Sequence, residues 1–270
     1  MERSLVNRII IGSLLSIAIV FICFNAYLVG FGVTLFIGVG LYEFFSMLEK
    51  RQIYPFKFFG LVVGVLIPFS IIFRFRITTE VQLWFVILGL IFLFILQFLR
   101  RSNHQATVGI STTIFGILYI SWCLSFLIRI RQLPGGALLL LSVLIITKSA
   151  DSVAFLIGTL WGKHPLIERI SPRKTWEGAL AGFFTSITVA VLCKGFMGLS
   201  LSRAFVCGIL LGFLGQLGDL CESLIKRDCN VKDSGSLFGG LGGVLDTLDS
   251  IIFVSPAFYL FLKLKIPFIN

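Results

Sequence analysis

The sequence predicts an all-α, polytopic integral membrane protein with a cytoplasmic N-terminus, and three observations carry that prediction. Hydrophobic residues make up 57% of the chain and charged residues 13%, with a mean hydropathy of +1.01, too apolar for a soluble globular domain. Apolar runs of roughly 20 residues, the length a helix needs to cross a hydrocarbon core, recur from end to end. The polar residues between them fall in short loops, and no stretch has the mixed composition of a soluble domain.

In order, the runs are 9–24, 27–48, 58–73, 81–99, 106–128, 137–158, 178–199, 204–225 and 248–262. They give about nine transmembrane helices, in a range of seven to nine because the first and third are short. The first run follows Arg3 and Arg8, as the core of a secretory signal would. Many equally apolar segments succeed it, which favours a first transmembrane helix.

The loops set the orientation. With the N-terminus inside, Arg3, Arg8, Lys50, Arg51, Lys57, Arg100, Arg101, Lys163, Arg169, Arg173, Lys174, Lys226, Arg227 and Lys232 share one face. Arg74, Arg76, Arg129, Arg131, Lys194 and Arg203 share the other, a bias of the kind that holds basic loops in the cytoplasm. The polar stretches 161–177 and 226–247 then both face the cytoplasm.

Charge and cysteine content exclude several classes. The net charge of +10 is spread over many loops, without the clustered face that nucleic-acid binding needs; attraction to anionic lipid head groups accounts for it better. The six cysteines contain no C-x-x-C pair and fall mostly in apolar runs, so neither a disulfide scaffold nor a zinc site is expected. His104 and His164 both fall in loops, a poor basis for a Ser-His-Asp or Cys-His mechanism.

The organisation is asymmetric. Residues 1–136 read as membrane helices for scaffold and lipid contact, and 137–270 as a catalytic membrane region, because the acids with candidate roles follow Lys148. Lys148 and Asp151, one helical turn apart, form either an ion pair that eases two charges into the membrane or part of a site, and both readings are compatible. The stretch ISPRKTWEG offers Ser171, Thr175 and Glu177 as helix caps, with Arg173 and Lys174 as ordinary cytoplasmic charge. The same residues at a helix N-terminus also make a seat for phosphate oxygens.

The strongest constellation runs from Asp219 to Asp249. Gln216, Asp219, Glu222, Ser223 and Lys226 share one face of a helix whose other faces are apolar. A polar turn and Gly239, Gly240, Gly242 and Gly243 follow, then Asp246 and Asp249 at the start of the last span. Glycines there allow close backbone approach to a ligand, although they also suit a plain turn with Asp246 as a helix cap. That plainer account leaves Asp219 and Glu222 unexplained, since acids facing a membrane bundle need a cation or a base. Carboxylates facing bases across a glycine-rich turn suit phosphoryl or nucleotidyl transfer, where acids hold divalent metal and bases neutralise phosphate.

These motifs resemble the signature of the phosphatidate cytidylyltransferase, or CDP-diacylglycerol synthase, family. Ser223, Lys226, Arg227, Lys232, Asp233, Gly235, Gly240, Gly242, Gly243, Asp246 and Asp249 stand at matching places. The stretches GDLCES, SPRKTWEG and ADSVAFLIG are similar as well. Leu241 stands where the family has a histidine, and Thr247 where it has an arginine. The resemblance implies transfer of the cytidylyl group of CTP to phosphatidate, giving CDP-diacylglycerol and pyrophosphate, in a cell inner (cytoplasmic) membrane. It implies Mg2+, with room for a second metal ion, and a homodimer. Asp219 and Asp246 are then the expected metal ligands, with Asp249 and Lys226 completing the catalytic group. Ser171, Lys174, Thr175, Glu177, Glu222, Ser223, Arg227, Lys232, Asp233 and Asp151 are the expected substrate-binding residues. A CTP-dependent lipid kinase and an anionic-solute transporter are the alternatives, the second requiring broken helices and paired repeats that the sequence does not show.

Overall fold

Helices form nearly all of what the computed structural model describes, namely residues 20–75, 78–100, 103–237 and 242–264. Residues 20–24 are helical; the rest of the first expected span lies outside the described residues, as do Gly239, Gly240 and Leu241. The first helices are α1 (Ala26–Lys50), α2 (Lys57–Ile72), α3 (Thr79–Leu99) and α4 (Ala106–Gly116). A π-helical turn (Ile117–Trp122) joins α4 to α5 (Cys123–Arg131) in one rod, followed by α6 (Gly136–Trp161). Then come α7 (Trp176–Leu192), the single turn α8 (Lys194–Met197), α9 (Leu201–Asp228) and α10 (Val244–Lys263). Among the described residues, six helices are long and apolar enough to cross a membrane, and α2 and α7 are shorter apolar ones. The protein is a polytopic, all-α membrane protein.

One element is not helical. Between α6 and α7 a short antiparallel hairpin pairs β1 (Pro165–Ile167) with β2 (Ser171–Thr175), where the sequence predicts only a loop. Two ends also differ from expectation. The span predicted over 178–199 stops at Leu192, and Gly198, at φ 63°, closes the extra turn of α8 before Ser200 starts α9 by accepting the Arg203 N–H at 3.4 Å. At its other end α9 runs to Asp228, so Lys226 and Arg227 belong to the helix itself.

Without water in the bilayer, every backbone group freed by an irregularity needs a partner inside the protein. Pro68 in α2 has no N–H to give the Gly64 carbonyl four residues back. Ser121 in the π-helical turn donates its hydroxyl to that carbonyl at 2.5 Å. Ser255, next to Pro256 in α10, lies 3.4 Å from the Ile252 carbonyl that this proline frees and donates to the Cys123 carbonyl of α5 at 2.8 Å. Serines thus tie α2 and α10, near their prolines, to the rod that contains the π-helical turn.

The core lies where α1, the π-helical turn, α6, α9 and α10 meet, around Ile37, Leu41, Phe44, Phe45, Ile120, Ile146, Cys207, Ile252 and Phe258. By contrast α3 leaves nearly every side chain exposed, with Leu93 and Gln97, one turn apart, the buried ones. Small residues set the closest approaches, as in other membrane bundles. A Cβ on Gly178 of α7 would lie 2.5 Å from the Ala154 carbonyl of α6, and one on Gly218 of α9 would lie 2.5 Å from the Asp249 carbonyl of α10. That second contact places Asp219, the next residue, against the start of α10.

Candidate active site

Two polar regions meet at Asp219 and the start of α10, one closed and one open. The closed one centres on Lys226, whose ammonium is paired with Glu222 one turn back and bonded to Asp246 Oδ1 at 2.5 Å. The Glu222 side chain is 1% exposed and those of Lys226 and Asp246 12% and 10%, so three charges share a nearly dry space. The second oxygen of Asp246, Oδ2, accepts from the Ser234 N–H at 2.8 Å, the Ser234 hydroxyl at 2.9 Å and the Gly243 N–H at 2.7 Å. Both oxygens of this carboxylate are therefore engaged. Asp246 performs the helix-start role that the plainer reading allows it, and binds Lys226 as well.

Gly242 makes that turn possible. Its φ of 87° favours glycine, and a side chain there would run into the Asp246 carboxylate. Helix α10 begins at Val244, four residues before the predicted span, because its first N–H groups find acceptors. Val244 and Leu245 both donate to Glu43, on α1, at 3.0 Å. Sequence reasoning missed Glu43. The available signal was a lone acid in the apolar run 27–48, since a carboxylate inside a span is kept only where something stabilises it.

The open region is a cleft of about 620 Å3 between α6, α7, α9 and the hairpin. Its polar lining includes Asp151, Ser171, Arg173, Lys174, Thr175, Gln216 and Asp219, and its apolar lining Ala154, Phe155, Leu166 and Leu211. Lys174 on β2 pairs with Asp219 at 2.5 Å across the cleft. The Asp219 carboxyl also faces that of Asp249, which accepts the Ser250 N–H at 2.6 Å. Close by, Lys148 donates to Asp151 at 3.3 Å, to the Thr247 carbonyl at 2.8 Å and to Ser250 at 3.4 Å, while Ser250 donates to Asp151 at 2.8 Å. The ion-pair reading of Lys148 and Asp151 holds, and the pair joins α6 to α10 at the edge of the cleft.

The structure thus brings Asp219, Asp249, Lys174, Ser171, Thr175 and Asp151 to the cleft or its border, and Glu222, Lys226 and Asp246 to the closed cluster behind it. It sets Asp249, rather than Asp246, directly against Asp219. Other expected site residues stand apart. Glu177 turns to His164, accepting at 2.6 Å from its ring and at 3.3 Å from its N–H, which locks the hairpin to α7. Arg227 donates to the Ile170 carbonyl at 3.2 Å and holds the hairpin from the other side. Thr175 lines the cleft and also caps α7, accepting the Gly178 N–H at 3.2 Å. Ser223 is buried, and Lys232 and Asp233 are exposed on the turn after α9.

Hard carboxylate oxygens in this arrangement fit a magnesium ion. Among the described residues no three His, Cys, Asp or Glu side chains form a complete metal cage. Magnesium does not require one, since it binds through one or two carboxylates together with water and substrate phosphates.

Comparison with known proteins places the chain in a family. The model of the cytidylyltransferase family matches residues 6–265. The chain belongs to that family. It is similar to the phosphatidate cytidylyltransferase of Synechocystis, with 30% identity over 97% of this chain and 98% of that protein. It is also similar to the uncharacterized protein YnbB of Escherichia coli, at 39% identity over 56% of this chain and 50% of that one. A third relative, the phosphatidate cytidylyltransferase of Bacillus subtilis, is 37% identical over 54% of this chain and 56% of its own length. Against the last two the match spans about half of the relative, whereas the cyanobacterial relative is matched almost end to end.

Proposed function

We propose that this family member transfers the cytidylyl group of CTP to phosphatidate, releasing CDP-diacylglycerol and pyrophosphate, in phospholipid biosynthesis. The observation that carries the reading is the cleft. It is lined by the Lys174–Asp219 pair and Arg173 on one part and by Ala154, Phe155 and Leu211 on another. Such a lining suits a substrate whose head is a phosphate and whose tail stays in lipid.

In the reaction, an oxygen of the lipid phosphate attacks the α-phosphorus of CTP. A new P–O bond forms as the bond from the α-phosphorus to the bridging oxygen breaks, and that oxygen leaves with pyrophosphate. No base is needed, because a phosphate monoester is already an anion near neutral pH. Lys174 and Arg173 reduce the repulsion between two phosphate-bearing substrates, a positioning and electrostatic role typical of this chemistry. Asp219 and Asp249, with Asp246 behind them, would hold magnesium, which neutralises charge building up on the triphosphate oxygens. Lys226 keeps Asp246 and Glu222 in place for that task.

The cytoplasm is the natural side for a site that uses CTP, and the packing agrees. Arg51 at the end of α1 pairs with Asp228 at the end of α9, and Arg227 reaches the hairpin, so these bases gather at the same end as the cleft's Arg173 and Lys174. A basic end is a cytoplasmic end. The location proposed with it is the inner (cytoplasmic) membrane.

The purified protein in detergent, given CTP, phosphatidate and magnesium, is expected to release pyrophosphate in step with CTP consumed, and only when phosphatidate is present. Release of CDP would identify a lipid kinase and overturn the proposal.

A further inference from the structure

We propose that Glu43 is a positioning residue for Asp246, acting from α1 through Ser234 and the first turn of α10. This role rests on the reading of Asp246 as part of the transferase site.

Glu43 is 7% exposed, next to the buried Phe44 and Phe45 of the core. No lysine or arginine pairs with it among the described residues. A buried carboxylate in that position is expensive unless donors surround it. Its donors all come from one segment far away in sequence: the Ser234 hydroxyl at 3.0 Å, the Val244 N–H at 3.0 Å and the Leu245 N–H at 3.0 Å. The last two are N–H groups that the start of a helix leaves unbonded, and a negative charge there is favoured by the helix dipole. Glu43 is thus a helix cap supplied by a different helix.

Ser234 links that cap to Asp246. Its oxygen lies 3.0 Å from Glu43 Oε2 and 2.9 Å from Asp246 Oδ2, and one hydroxyl proton serves one carboxylate at a time. Two glycines of the family motif also make sense against Glu43. A Cβ on Gly243 would lie 2.5 Å from both Glu43 oxygens, and one on Gly235 would collide with the same carboxylate. These glycines make room for a protein side chain rather than for a ligand. Because the α1 backbone is wedged in the core, Glu43 is a fixed point from which the turn carrying Asp246 is hung.

The test compares Glu43→Gln, Ser234→Ala and the double variant with the wild type, per folded molecule, at saturating CTP, phosphatidate and magnesium. Glutamine keeps the size of Glu43 but turns an amide N–H2 toward a backbone donor, leaving one buried N–H unsatisfied. The expected result is a fall in kcat of about tenfold or more in Glu43→Gln, with KM for CTP within about threefold. Ser234→Ala lowers kcat as well, and the double variant falls no further than the worse single one, because both break the same link. Full kcat in either single variant, or losses that multiply, overturns the proposal. Amide hydrogen exchange over residues 242–248, measured without substrate, separates this inference from the transferase reading. Faster exchange in Glu43→Gln sustains the contact even if the wild type turns over no CTP, and unchanged exchange overturns it.

Discussion

Asp219 and Asp246 look alike in the sequence, yet they stand in opposite surroundings. Asp246 has both oxygens engaged by Lys226, Ser234 and Gly243, with a side chain 10% exposed. Asp219 is 34% exposed at the side of a cleft, with Lys174 across from it and Asp249 beside it. The difference teaches that the closed cluster uses its charge to fix geometry, whereas the open cleft has charge to offer a substrate.

Substitutions can break that contrast, and the largest expected effect is at Asp219. Asp219→Asn removes a carboxylate proposed to hold magnesium and the partner of Lys174, and is expected to lower turnover about 1000-fold or more, since a metal's charge stabilisation is worth several kcal/mol. Its melting temperature should stay within about 2 °C of wild type, because a pair about a third exposed contributes little to stability. Asp246→Asn should also abolish most turnover, and in addition should lower the melting temperature by about 5 °C or more, because the buried Lys226 is left with one ionised partner fewer and the turn at Ser234 and Gly243 loses its carboxylate acceptor. Thermal unfolding in detergent beside an activity assay checks both.

Smaller effects sharpen the same comparison. Lys174→Gln is expected to raise KM for CTP or phosphatidate about tenfold, the worth of one charge-assisted hydrogen bond, while the protein melts as before. Steady-state kinetics decides it. Arg51→Ala breaks the exposed pair with Asp228, whose side chains are 42% and 58% exposed, and should change stability by less than about 1 kcal/mol and turnover not at all.

Much of this was legible in the sequence, for physical reasons that also mark where it stopped. Hydropathy located the spans because a helix in lipid must be apolar along its length, so α1, α2 and α3 match their predicted runs within a few residues. Motif spacing put Asp219, Glu222 and Lys226 on one face of α9, where they are. The division of labour between Asp246 and Asp249 was not legible, because it depends on the crossing of α9 and α10 at Gly218. The early start of α10 was hidden for a similar reason: its cap is Glu43, 201 residues away from Val244. The hairpin at 165–175 has strands of only three and five residues and no alternating apolar pattern to announce it. Likewise, the use of Ser121 to satisfy the carbonyl freed by Pro68 joins positions 57 residues apart.

The most direct test of the contrast is the thermal shift that CTP with magnesium produces, since a ligand that binds only the folded protein raises its melting temperature. The wild type should melt higher with both present, and Asp219→Asn should lose that rise while melting normally without them. A rise of wild-type size in Asp219→Asn would contradict the placement of CTP in this cleft.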